Sequence, residues 1–183
     1  MYEKLVNEFE WGGLNNSDLY FDETNTRMVM NFRNNFSRLA EALYQKGENK
    51  KAITVLNRCM EEFPKEVVNL SYFSIPIIDL YYKLGENGKG NKILATMIDE
   101  NLIEIKYLKE FKKGSGLKQN INITAQVLGS LGRLIQAHKL EDPNYNYTTE
   151  EGIYFKERNG VKEEIDYNTF RINTFTDEYL SIL

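Results

Sequence analysis

A chain of 183 residues, 42% hydrophobic and 27% charged, is long and apolar enough to close a core, which argues against wholesale disorder. Its formal charge of −4, with lysines and arginines scattered singly among acids, leaves no continuous basic stripe and makes nucleic acid a poor partner. The lone cysteine, Cys59, has no internal disulfide partner, and no apolar run approaches the roughly 20 residues that cross a bilayer.

In chain order, Phe9-Glu10-Trp11-Gly12-Gly13-Leu14 and Leu19-Tyr20-Phe21-Asp22-Glu23-Thr24 read as an ordered loop whose aromatics fold back on the helices. The opening Met1-Tyr2-Glu3-Lys4 lacks the apolar stretch of a signal peptide. Phe32, Phe36, Leu39, Ala40 and Leu43 then recur at helical period and stop at Gly47. A second stripe, Ala52, Ile53, Leu56, Cys59, Met60 and Phe63, stops at Pro64, which cannot continue a helix. Two antiparallel helices joined by a tight turn are predicted.

Lys46-Gly47-Glu48-Asn49 is echoed 38 residues later by Leu84-Gly85-Glu86-Asn87, each preceded by an apolar stretch with tyrosine near its end. The period is close to the 34 or so of a tetratricopeptide repeat, and residues 33 to 66 resemble one. Phe36 sits at the bulky position, Leu39 and Ala40 at the close-packing pair, Gly47 at the turn, and Ala52, Leu56, Cys59 and Pro64 complete the match. Tyr72 to Asn101 is a looser second unit, with Ile77, Ile78 and Tyr81 on one helix, Leu94 and Met97 on the other, and Gly90 in place of an alanine. Pro76 belongs in a first helical turn. Leu102, Ile105, Leu108 and Phe111 extend that helix or begin another, ended by Gly114-Ser115-Gly116.

Ile121 to Leu140 reads as a helix capping the stack, in which Gly129 and Gly132 admit a neighbour closely. Beyond Glu141 two readings stand: Thr148 with Glu151 capping a helix, or Arg158-Asn159-Gly160 turning a hairpin between Ile153-Tyr154-Phe155 and Val161. A short final helix near Thr176 to Leu183 is favoured. The expected fold is therefore all-α, a tetratricopeptide-like α-α superhelix within a single domain. It has an N-terminal loop over 1–25, helix pairs over 26–66 and 67–112, a capping helix over 113–140 and an irregular tail over 141–183.

Trp11-Gly12-Gly13-Leu14, Tyr20-Phe21-Asp22-Glu23-Thr24 and Arg33-Asn34-Asn35-Phe36-Ser37-Arg38-Leu39-Ala40, followed by Ala52-Ile53-Thr54-Val55-Leu56, Met60-Glu61-Glu62-Phe63-Pro64, Ser71-Tyr72-Phe73 and Ile77-Ile78-Asp79-Leu80-Tyr81-Tyr82-Lys83, carry a family resemblance. Over its first 100 or so residues the chain resembles the C-terminal soluble part of the domain-of-unknown-function 2723 membrane proteins of Bacteroidetes. Members are multi-pass proteins grouped with glycosyltransferases that use lipid-linked sugars. The resemblance implies an accessory domain on the periplasmic side of the inner membrane, whose parent's catalytic acids lie in a membrane part that has no counterpart here.

Candidate chemistry is sparse. His138 is the only histidine, so a metal site is not expected, and it reads as a surface or helix-capping residue. Cys59 reads as a packed thiol. Asp18, Asp22 and Glu23 fit no calcium loop, and a helix start near Thr24 accounts for the last two. The triplets Asn122-Ile123-Thr124 and Asn146-Tyr147-Thr148 arise by chance in so asparagine-rich a chain. No cofactor is implied, and the lack of a nucleophile paired with a base argues against a free-standing enzyme.

Counting from the two glycines places Asn34, Ser37, Glu41 and Tyr44 beside Tyr72, Asp79 and Tyr82 on a concave face. That polar, tyrosine-bearing floor suits a protein or peptide partner, or a glycan, because tyrosine combines contact area with a hydrogen bond. The basic clamp of chaperone-binding repeats is missing, with Ser37, Glu41 and Pro76 in its place. The leading reading is a non-catalytic interaction module. Its alternative is a structural plug packed on the parent's own membrane domain.

Overall fold

The computed structural model describes residues 2–110 and 115–182, and the chain divides into two compact units, Met1–Asn87 and Gly88–Leu183. The first begins with a π-helical turn, Lys4–Glu8, followed by α1 (Glu23–Gln45), α2 (Asn49–Glu62), a 3-10 turn (Tyr72–Ser74) and α3 (Ile75–Lys83). The second holds α4 (Asn87–Glu110), α5 (Ser115–His138), strands β1 (Asn146–Glu150), β2 (Ile153–Arg158) and β3 (Val161–Ile165), and α6 (Tyr167–Ile182). The protein is mostly helical, and the small antiparallel sheet corrects the all-α expectation.

In the first unit α1 starts where the acids suggested. Asp22 is its N-cap, its carboxylate accepting from the Asn25 N–H at 2.8 Å. The helix buries Val29, Phe36, Ala40 and Leu43 along one stripe, against Ala52, Val55, Leu56 and Cys59 of α2. Both glycine corners close in the same way. The Gly47 N–H donates to Tyr44 O at 2.9 Å and Glu48 N–H to Leu43 O at 2.9 Å, while Gly85 donates to Tyr82 at 3.0 Å and Glu86 to Tyr81 at 2.9 Å. These paired bonds satisfy the last carbonyls of each helix and need a left-handed residue, which glycine supplies at φ 76° and 79°.

The N-terminal loop folds back through Trp11, whereas Phe9, Leu19 and Tyr20 of the same expected loop are exposed. Trp11 is buried, its ring 5.2 Å from Phe32, 5.3 Å from Phe36 and 5.0 Å from Phe63, so one indole joins the loop to α1 and to the end of α2. Beside this cluster Arg33 lies on the buried stripe of α1, fully enclosed. Its guanidinium donates to the carbonyls of Phe63 (2.7 Å), Pro64 (3.2 Å), Val68 (2.6 Å) and Asn69 (2.8 Å). A cation thus satisfies the carbonyls at the C-terminal end of α2 and pins the connection to α3. Pro76 sits in the first turn of α3, where its missing N–H costs nothing.

In the second unit α4 runs unbroken through Leu102, Ile105 and Leu108, so that pattern extends the helix. Phe111 and Gly114 fall outside the described residues, as do the side chains of Ser115 and Gly116. The expected 67–112 pair has α3 in one unit and α4 in the other. Gly132 on α5 faces α6, where a Cβ would stand 3.5 Å from the Phe175 ring, an ordinary van der Waals contact that does not require glycine.

The tail corrects the expected irregular segment. Strands β1, β2 and β3 form a meander in which Thr149 faces Tyr154 and Lys156 faces Glu163. Both turns are two-residue, Glu151-Gly152 (φ 50° and 82°) and Asn159-Gly160 (φ 53° and 77°), the pair of positive φ values that matches strand twist. The Asn159-Gly160 hairpin reading therefore holds. Thr148 lies on a strand, and the final helix begins at Tyr167, well before Thr176. Tyr154 of β2 packs on Tyr167 and Phe170 of α6, with ring centroids 5.2 and 4.8 Å apart.

Candidate functional site

All seven residues of the expected face lie in the first unit, on α1, the 3-10 turn and α3. The helices α1 and α3 touch, and the 3-10 turn packs on both, so the elements that carry the seven residues adjoin. Accessibility divides the set. Asn34, Glu41, Tyr44 and Asp79 are half-buried and Tyr72 is 58% exposed, whereas Ser37 is 4% and Tyr82 7% exposed. Burial pushes the Tyr82 phenol well above its ordinary pKa, as expected for a packed ring. Ser37 and Tyr82 thus belong to the packing, and the accessible set is Asn34, Glu41, Tyr44, Tyr72 and Asp79.

Two residues join that set that periodicity did not single out. Lys83 donates to Asp79 at 2.7 Å one helical turn away, and its ammonium also feels Glu41 and Tyr44 across from α1. Its pKa is raised, first by the hydrogen bond to Asp79 and then by these charges, against the opposing effect of partial burial. Phe73 is 43% exposed beside Tyr72, the two rings edge-on at 6.4 Å. The face therefore offers a mixed-charge cluster of Glu41, Asp79 and Lys83 at one end and an exposed aromatic pair at the start of α3. Lys83 closes the last turn of its helix, where a cation is favoured, and that sequence signal was available.

The remaining candidates fall where their chemistry suggests. Cys59 is fully buried, and burial raises its thiol to about 12, with the nearby Arg33 opposing the shift. His138 is the last residue of α5 and half-buried. Among the described residues no group of three or more His, Cys, Asp or Glu is arranged to hold a metal ion. Among the same residues no helix is long and apolar enough to cross a membrane. No protein-family model matches the chain, and neither does any curated protein or solved structure.

Proposed function

We propose that this chain is a non-catalytic, tetratricopeptide-like interaction module whose α1/α3 face receives an extended polypeptide or glycan. In this reading it is the periplasmic accessory domain of a multi-pass glycosyltransferase-like membrane protein, the role that the family resemblance implies. The observation that carries the binding reading is the neighbourhood on that face. Glu41, Asp79 and Lys83 supply acceptors and donors within one cluster, and Tyr72 with Phe73 adds an exposed aromatic platform, while the opposite faces of the same helices are spent on the core. The matching hydrogen bonds at Gly47 and Gly85 support repeat-like helix pairs.

Isothermal titration with acceptor peptides and oligosaccharides tests it. Binding that Tyr72→Ala weakens about tenfold, with an unchanged melting profile, is the expected result. The second reading is a plug packed on its own membrane domain. No heat with any ligand, together with loss of stability in Tyr44→Ala, would select the plug. A gene with no membrane-spanning segments upstream of this region would sink the membrane assignment under either reading.

A further inference from the structure

The second unit carries a concave feature that the α1/α3 face does not involve. The end of α5, the loop after it, the start of β1 and the middle of α6 border an open cleft of about 840 Å³, within the range of roughly 300–1,000 Å³ usual for small-molecule sites. Some of its polar groups are already committed. Thr176 Oγ1 donates to Glu141 at 2.5 Å, the Asp142 carboxylate accepts from the Asn144 N–H at 3.0 Å and from its side-chain amide at 2.8 Å, and Tyr147 donates to the Asp142 carbonyl at 3.2 Å.

Four side chains lining the cleft are uncommitted: among the described residues, Gln136, Lys139, Asn146 and Asp177 make no side-chain hydrogen bond or ion pair. Their charges, one cation and one carboxylate, cancel. What remains is an alternation of donors and acceptors, half of it uncharged amide. An anion there would face three carboxylates, and a cation would find two of those three already accepting hydrogen bonds and Lys139 in the same lining. A neutral ligand whose every polar group both donates and accepts meets neither obstacle, and an array of hydroxyls is that chemistry.

One further feature fits the same ligand class. Tyr145 lines the cleft and is the aromatic group there that the C–H face of a sugar ring would meet, its ring steadied by Lys156 and Arg158 at 5.1 and 5.8 Å from the centroid.

We infer that this cleft is a binding site for a neutral saccharide, with Gln136, Asn146, Lys139 and Asp177 addressing hydroxyls and Tyr145 stacking beneath them. It stands apart from the α1/α3 face and holds or fails independently of it. The test is a chemical-shift titration of the full chain with cellobiose, maltose and chitobiose, with trilysine and citrate as charged comparators. Expected are millimolar affinity for at least one disaccharide, shifts centred on Gln136, Asn146 and Asp177, and a loss of about tenfold in both Asn146→Ala and Asp177→Asn. Both substitutions are at exposed positions and are expected to keep the native spectrum. No shifts with any of the three sugars, shifts confined to the first unit, or stronger binding of trilysine or citrate would overturn the assignment.

Discussion

Replacing Arg33 by methionine removes the hydrogen bonds by which its side chain ties α1 to the end of α2 and to the loop behind it. The carbonyl oxygens of Phe63, Val68 and Asn69 lose their donor together, while that of Pro64 keeps the Val67 and Val68 N–H groups. A buried acceptor left without a partner costs about 1–3 kcal/mol, and the three losses are not additive, because the loop can open to water. Relief from burying a cation offsets part of the loss: burial already holds the guanidinium's pKa below its ordinary value. The net expectation is about 3–5 kcal/mol, the range for breaking a buried charge-assisted network. For a unit of this size that corresponds to a fall of about 12 °C or more in melting temperature. Trp11 is the chain's only tryptophan and packs on Phe63, so its fluorescence reports this unit. Arg33→Lys keeps the charge but gathers its donors on one nitrogen, and an intermediate loss is expected. A fluorescence-detected midpoint for Arg33→Met within about 1 kcal/mol of the parent would refute the idea that these bonds hold the connection.

Cys59 should resist thiol reagents at mildly alkaline pH until denaturant is added. Its folded pKa of about 12 stands above the ordinary 9.0, so the stability tied to the neutral thiol is complete below pH 9.0 and drains away as pH rises toward 12; native-state labelling at the rate of a free thiol contradicts this. Gly47→Ala and Gly85→Ala should each cost about 1–2 kcal/mol, because the two corners share one hydrogen-bond pattern and one left-handed residue, and urea midpoints that differ widely would deny the equivalence. Glu178 on α6 meets Lys106 of α4 at 2.6 Å and Arg171 at 2.5 Å. Burial works against its charge, yet hydrogen bonds from Lys106 and Arg171 prevail and hold its carboxyl below the usual range. The stability it lends is therefore present above about pH 4.5 and lost as pH falls through the folded value, and Glu178→Gln should flatten the acid limb of α6 amide-exchange protection.

The first unit was legible because its signals are local. Spacing of three and four residues between apolar positions fixes a buried stripe, and a glycine after the last one fixes the end. The hydrogen bonds at Gly47 and Gly85 follow from that pattern. The tail lacks such signals. Asn146–Glu150 and Val161–Ile165 are short, polar edge strands covered on one side by little more than α6, so apolar alternation is weak. Asn159-Gly160 still marked its turn, whereas Glu151-Gly152 was masked by the carboxylate. The helix Tyr167–Ile182 is built of Tyr, Asn, Thr and Phe, all poor helix formers, and forms because Phe175 packs beside Gly132 and Arg171 pairs with Asp99 at 2.5 Å.

The candidate face shows where periodicity stops helping. One residue is 100° of helix, so a position at the border of the stripe turns into the core or out of it according to where a third element lies, and no spacing rule locates that element. Ser37 follows Phe36 on α1 and Tyr82 follows Tyr81 on α3, and both pairs are buried. The same geometry explains Arg33, which shares a stripe with Val29, Phe36 and Ala40 yet carries a charge. A cation at a core position of an amphipathic helix is the signal that a neighbouring helix ends there with carbonyls to satisfy, and Pro64, closing α2, was the companion mark. Together those two residues locate the joint between the helix pair and the loop that carries Tyr72 and Phe73. The aromatic platform is therefore presented by a segment that Arg33 anchors, and a substitution at Arg33 mild enough to leave the unit folded should still displace the platform and weaken any ligand that uses Tyr72.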